Sequence, residues 1–301
     1  MLKAYSWLVF CVVVWGSNFV FGKILLQSFS PALLTSLRLF FIVLLLLGLA
    51  SFTKKRVNRL GKTEWIAISV LGVIGVFINQ WSFFVGLETA DPTTSALILA
   101  TTPILAGVLG ATFLKERLTV RMLLGSVIAI TGIFLVVTKG SFTVLQVDRG
   151  LLWIVVTMIT FAIMIIMTRV LSKRIDSLPI TLYSNIIGFL ISIPFVFMWD
   201  EPIRVGVTAF DWAFLIGTAI TVHGIATLIW NTNIRQVDAS KASILSNLEP
   251  FVAMITGLVL LHKPVTDVEI AGALLIVGGV IFSTYQRRRR VAARNVAVSR
   301  K

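Results

Sequence analysis

The chain has 301 residues, 57% of them hydrophobic and 13% charged, with a mean hydropathy of +0.96 and a formal charge of +14. A soluble domain carries about a quarter charged residues, so this composition cannot cover a water-soluble globule and excludes one. The positive balance would point to nucleic acid in a soluble protein; here its expected cause is the Lys and Arg excess of cytoplasmic loops in membrane proteins, and no nucleic-acid partner is expected.

Ten apolar runs follow one another, each near the roughly 20 residues needed to cross the hydrocarbon core. They are predicted as helices at 5–26, 32–52, 65–86, 94–114, 121–138, 150–170, 180–199, 210–230, 241–261 and 268–285. The first is long for the apolar part of a signal peptide, and Leu25-Leu26-Gln27-Ser28-Phe29 offers no small-x-small cleavage site, so it reads as an uncleaved span. It holds the lone cysteine, Cys11, which excludes an intrachain disulfide and reads as a small packing residue. Short connections carry turn or cap signals at Ser30-Pro31, Asp91-Pro92, Leu178-Pro179 and Glu201-Pro202. The fifth and tenth runs are nearly free of polar residues. In them Gly125 with Ala129, and Gly272 with Gly278-Gly279, read as close helix packing, within one chain or in a homodimer. After the tenth run, Arg287-Arg288-Arg289-Arg290 opens a basic tail, 287–301, which reads as an orientation anchor in preference to a site for anionic lipid.

Basic residues set the topology. With the N-terminus inside, cytoplasmic segments hold 21 of the 27 Lys and Arg, whereas external loops hold only Lys139, Arg149, Arg204 and Lys263. Both termini are therefore placed in the cytoplasm and the chain in the plasma membrane.

A shift of 147 residues relates the two halves through their fourth and fifth spans. It takes Asp91 to Asp238, Pro103 to Pro250, Thr119 to Thr266, Gly125 to Gly272 and Gly132 to Gly279, and also Trp65 to Trp212. Small loop indels make it 146 in the first span (Trp7 to Trp153, Lys23 to Arg169) and 148 in the second (Pro31 to Pro179). The repeats are drawn at 1–140 and 148–286. Each has five spans, an odd number, so the second copy must enter from the opposite face. Charge agrees independently: the loop after the second span is basic, whereas its counterpart holds Arg204 against Asp200, Glu201 and Asp211. The predicted fold is an all-α membrane protein of ten transmembrane helices in two inverted five-helix repeats. Such repeats are a signature of secondary transporters, whose halves exchange conformations around a site at their interface.

Several motifs carry a resemblance. They are Trp15-Gly16-Ser17-Asn18-Phe19, Pro31 with Arg38, Thr102-Pro103, Lys115-Glu116-Arg117-Leu118-Thr119 and Gly125 with Gly132, then Leu248-Glu249-Pro250 and Gly272 with Gly278-Gly279. Together they resemble a ten-helix EamA-type transporter of the drug/metabolite transporter superfamily, over residues 5–286. The resemblance implies export or exchange of small amino-acid-like or amphipathic metabolites. It also implies a central cavity lined by the first, third and fourth helices of each repeat. This chain departs from the family in one place: the Glu expected after the fourth helix of each repeat is present as Glu116 but replaced by Lys263 in the second copy.

Intramembrane charges are costly and mark function by default. Glu249 is the one acidic residue deep in a span, and Pro250 beside it cannot donate to the Ser246 carbonyl and should kink the helix. Thr102-Pro103 repeats the interruption in the first half, and paired interruptions point to a transport site. His223 is the one deep histidine, about 11 Å from the inner end of its helix, with Glu249 at about 12 Å on the next. Both are candidates for proton coupling, against a reading of each as a satisfied structural residue. Trp15, Asn18, Gln80, Thr102 and Asn231 join them as candidates for a mixed polar and apolar cavity. Of the neighbours Asn79 and Gln80, only one is expected to face it. Trp230 and Asn231 also fit interfacial anchors. Arg38, about 9 Å below the outer surface by helical rise, either snorkels or pairs with substrate or a carbonyl.

No CxxC, clustered His/Cys set or cofactor fingerprint suggests a metal or cofactor. An aspartyl intramembrane enzyme would need two deep Asp, and a serine one a Ser–His pair, and neither pattern is evident. The partners expected are the lipid bilayer and a small molecule; a channel or receptor is the competing class.

Overall fold

In a computed structural model the described residues are 2–52, 60–114, 120–139, 148–199, 202–233 and 245–284, and all of their regular structure is helical. The Lys115-Glu116-Arg117-Leu118-Thr119 motif, Asp238, the first residues of the ninth predicted run and the basic tail lie outside the described residues, as does the side chain of Asn231. Helices α1 (Leu2–Ser28), α2 (Pro31–Phe52), α3 (Lys62–Thr89), α4 (Pro92–Leu114) and α5 (Val120–Val137) form the first set. The second is α6 (Arg149–Leu171), α7 (Ser177–Met198), α8 (Ala209–Trp230), α9 (Glu249–Leu261) and α10 (Asp267–Thr284). The first eight are long and apolar enough to cross a membrane, and α9 is a shorter apolar helix.

Local chemistry fixes the ends. Asp91 caps α4 by accepting from the Thr94 amide at 2.9 Å, with Pro92 at the first helical position, where its missing N–H costs nothing. Asp148 caps α6 by accepting from the Gly150 amide at 2.8 Å. Thr208 and Asp211 form a reciprocal capping box at the start of α8.

Four helices depart from regular α geometry, and they do so in pairs. The α3 helix carries a π-helical segment at Leu71–Ile78 and α8 one at Ala219–Ile225, which the 147-residue shift superposes within one residue. Helix α4 is interrupted at Ala100 and Thr101 and resumes at Thr102–Leu114. The ninth span is interrupted at Asn247 and Leu248, each 147 residues on, and resumes as α9 at Glu249.

The two sets interleave rather than sit apart. One buried apolar cluster joins Leu25, Leu34, Phe84 and Ile98 of the first with Ile154 and Leu215 of the second. Helices α5 and α10 pack through their glycines. A Cβ on Gly132 would stand 2.8 Å from the Gly272 carbonyl oxygen, and one on Gly279 2.6 Å from that of Gly125. The repeat relates Gly125 to Gly272 and Gly132 to Gly279, so these contacts exchange under it, as a pseudo-two-fold axis requires. Gly125, Gly132, Gly272 and Gly279 are thus packed within one chain, whereas Gly278 faces open space. Gly279→Ala is expected to part α5 from α10 and cost about 1–3 kcal/mol, seen as a lower melting temperature of the protein in detergent. On the outer side of α5, Val120, Leu123, Leu124, Val127 and Ile130 stand exposed. So continuous an apolar strip suits lipid, not water.

Candidate functional site

Four of the polar side chains that α1, α2, α3 and α8 carry into the span region meet. The Arg38 Nη2 donates to Asn18 Oδ1 at 3.1 Å and lies 3.2 Å from Nδ1 of His223. A guanidinium only donates, so Nδ1 accepts, the imidazole is neutral, and its proton is on Nε2. The Gln80 amide lies 3.5 Å from that Nε2. Amide nitrogen and oxygen are assigned from their partners, and this proton requires the amide oxygen to face the ring. The guanidinium plane also stands over Phe84, 5.3 Å from its centroid. The cluster therefore draws three residues from the first repeat and His223 from the second.

The π-helical segment of α8 places His223 there. A π turn shifts side-chain directions relative to an α-helix and leaves its carbonyls less tightly engaged. The Val222 carbonyl accepts from Trp15 Nε1 at 3.0 Å, and Trp15 packs against Trp230 with ring centroids 5.0 Å apart. Trp230, the last residue of α8, is thus a packing partner of Trp15. Beside Val222 a cleft of about 210 Å³ opens between α1 and α8, lined by Val14, Phe21, Phe214, Gly217 and Thr221.

The interrupted helices place Glu249 and Thr102. Glu249 is the first residue of α9, half-buried, and among the described residues its carboxylate has no hydrogen bond or ion pair. Gly16 of α1 lies against its backbone, where a Cβ would come within 2.6 Å of the Glu249 carbonyl oxygen. Thr102, at the matching position, is buried and donates back to Leu99 of its own helix. Pro103 and Pro250 each fall in the first turn after the break, where proline lacks only an N–H with no partner to lose.

The structure thus unites Asn18, Gln80 and His223, sets Trp15 beside them, and leaves Glu249 without a described partner. Thr102 serves its own helix. Asn79 turns away to α6, donating to the Thr157 carbonyl at 2.9 Å and the Thr160 hydroxyl at 3.0 Å. Arg38 of α2, the hub of the cluster, lies outside the first, third and fourth helices expected to line the cavity. Its signal was present in the sequence as a lone cation within a span.

A second polar system closes one face. Arg204 of the second repeat pairs with Glu88 of the first and donates to the Leu26 carbonyl at 3.1 Å. Ser28 donates to Asp211 at 2.7 Å and Thr89 to Asp148 at 2.6 Å. Lys263 bridges Asp91 of the first repeat at 2.8 Å and Glu269 at 2.6 Å. Burial alone would lower the Lys263 ammonium, but the two carboxylates outweigh it and hold it above the ordinary lysine value.

Known proteins are similar to this chain in sequence and in fold. The pattern of the EamA-like transporter family matches residues 2–138 and again 148–285. The chain is 25% identical to the uncharacterized transporter YetK of Bacillus subtilis (strain 168) over 96% of its length and 88% of the relative's. It is 28% identical to the uncharacterized transporter YyaM of the same organism over 93% of each chain. The crystal structure of one protein superposes with a TM-score of 0.67 at 20% identity, covering 94% of this chain and 97% of that one, a likeness of fold alone.

Proposed function

We propose that this chain, which belongs to the EamA-like transporter family, is a secondary transporter that exports or exchanges small amphipathic or amino-acid-like metabolites by alternating access. It works in the plasma membrane with both termini in the cytoplasm. Substrate binds at the Asn18, Arg38, Gln80 and His223 cluster, with Trp15 as an aromatic wall, and Glu249 carries the coupling proton.

The observation that carries this reading is the composition of the cluster. Its hydrogen bonds cross between the repeats, from Arg38 to His223, so rocking one repeat against the other must remake the site. The paired π segments and helix breaks supply places where two otherwise rigid repeats can bend. A serine-type enzyme would need a serine on His223, whose ring nitrogens face Arg38 and Gln80 instead. Glu249 is favoured over His223 as the proton carrier because its carboxylate is unengaged among the described residues, whereas protonating His223 must first displace Arg38.

The test is a panel of labelled metabolites in proteoliposomes, with and without a pH gradient, for wild type and Glu249→Gln. Wild type is expected to show saturable counterflow that responds to the gradient, and the variant to keep counterflow but lose the response. Unchanged transport and pH response in the variant would remove Glu249 from the mechanism. Conductance that does not saturate would replace the carrier by a channel.

A further inference from the structure

The Arg38 side chain is fully buried, at 0% exposure, within a membrane-spanning helix. Of its five N–H donors, those on Nη2 serve Asn18 and His223, while Nε and Nη1 have no partner among the described residues. No described carboxylate pairs with it. A guanidinium keeps its charge in a protein, so this cation cannot escape desolvation by losing a proton. An unpaired charge held in a span is among the most expensive features a membrane protein can carry.

The fold itself does not demand it. The shift that takes Pro31 to Pro179 takes Arg38 to Ile186, and Ile186 packs in an ordinary apolar cluster with Leu182, Ile42 and Leu46. One repeat builds the same helix with a hydrocarbon at this place. The charge is therefore particular to the first copy, where it meets the other repeat.

We propose that Arg38 is the receptor for an anionic oxygen group on the transported molecule. The unpartnered Nε and Nη1 donors suit the oxygens of a carboxylate or phosphate, for which charge-assisted bonds to arginine are the strong choice. Phe84 under the guanidinium, and Trp15 with Trp230 beside His223, would hold an apolar or aromatic body attached to that group. The substrate class is an organic anion. This inference rests on the transporter reading and narrows it. An arriving anion takes donors that are already free, so Arg38 can keep His223 while it binds. The charge of the bound group offsets that of Arg38 and lowers the cost of moving the loaded site through its occluded state.

The experiment uses the full chain in proteoliposomes with probes in matched sets. Each set shares one body: phenylacetate, benzyl phosphate, the neutral phenylacetamide and the cationic phenethylamine, with the same four head groups on an indole and on a short alkyl chain. Wild type is expected to move anionic members in preference to their neutral and cationic partners; the carboxylate and phosphate arms show which oxyanion fits. Arg38→Gln is expected to lose uptake of the anions by about tenfold or more, the scale of a removed charge-assisted pair, and Arg38→Lys to keep part of it. Melting temperatures of both variants check folding. A fall shared equally by anionic and neutral members would mark Arg38 as structural and overturn the proposal. So would uptake of neutral or cationic members in preference by wild type, which leaves transport standing. Failure of wild type to move any member, with counterflow still seen in the metabolite panel, would overturn this inference and leave the transporter reading standing; failure in both would remove the two together.

Discussion

Ser28→Cys with Asp211→Cys is expected to stop transport once the pair is oxidised, and a reductant to restore it. The two side chains meet at 2.7 Å between the end of α1 and the start of α8. Both are short, which suits the Cβ separation of about 3.5–4.5 Å that a disulfide needs. Around them run the other links between repeats: Arg204 with Glu88, the Ser30 amide on the Arg204 carbonyl at 3.1 Å, Thr89 with Asp148 and Lys263 with Asp91. The ion pairs Arg204 with Glu88, Lys263 with Asp91 and Lys263 with Glu269 all lie on this face, which the charge bias assigns to the outside. If the repeats alternate, this is where they must part, and one covalent bond across the seam holds it shut. Oxidised protein should fall to the rate of empty liposomes. The reduced double variant is its own control, because losing Asp211 also removes a helix cap worth about 1 kcal/mol. Cys11 is buried with its thiol on the Ala226 carbonyl at 3.2 Å and does not compete. Full transport with the disulfide formed would refute movement at this face.

The repeat, the helical class and the two interruptions were legible in the sequence because each follows from hydropathy, charge sign or proline. Pro103 and Pro250 located the breaks to within a turn; the unwound residues are Ala100, Thr101, Asn247 and Leu248, just ahead, because each proline opens the helix that follows. Helix rotation was not legible. Hydropathy gives depth, so His223 and Glu249 read as level, but which faces meet depends on packing across helices far apart in the chain. The π segments add to this. They turn Gln80 toward His223 and Asn79 toward α6, and nothing in Leu71–Ile78 distinguishes π from α by composition. Arg38 illustrates the limit best. Its charge was conspicuous, but snorkelling, carbonyl pairing and ligand pairing differ only in what surrounds the guanidinium. That surrounding comes from α1, α3 and α8 together.

Lys263→Glu restores at that position the residue type of its repeat mate, Glu116, and is expected to damage the protein. The lysine follows His262, whose left-handed backbone (φ 52) ends α9 and carries the next residue across the seam. There it stands between Asp91, the cap of α4, and Glu269, the partner of Thr266 at the start of α10. A glutamate would put three carboxylates in a half-buried corner. The ion pairs here are partly exposed, so the loss lies between the surface and buried limits, about 1–3 kcal/mol. Lys263→Met, which removes the attraction without adding a charge, should cost less, giving melting temperatures in the order wild type, Met, Glu. The pH response has a definite sign. The ammonium is held above its ordinary value in the folded protein, so its stabilisation is fully present below that ordinary value and is lost as pH rises through the raised one, in strongly alkaline solution. Wild type and Lys263→Met should therefore differ in melting temperature throughout the neutral range and converge only at high pH. A reagent for cysteine placed at Thr89→Cys, itself on the seam, should react faster in Lys263→Glu than in the wild-type background, because repulsion at the corner favours the state in which the repeats have parted. Equal rates and equal melting temperatures would show that Lys263 latches nothing, and the departure from repeat symmetry would then have no structural consequence at this face.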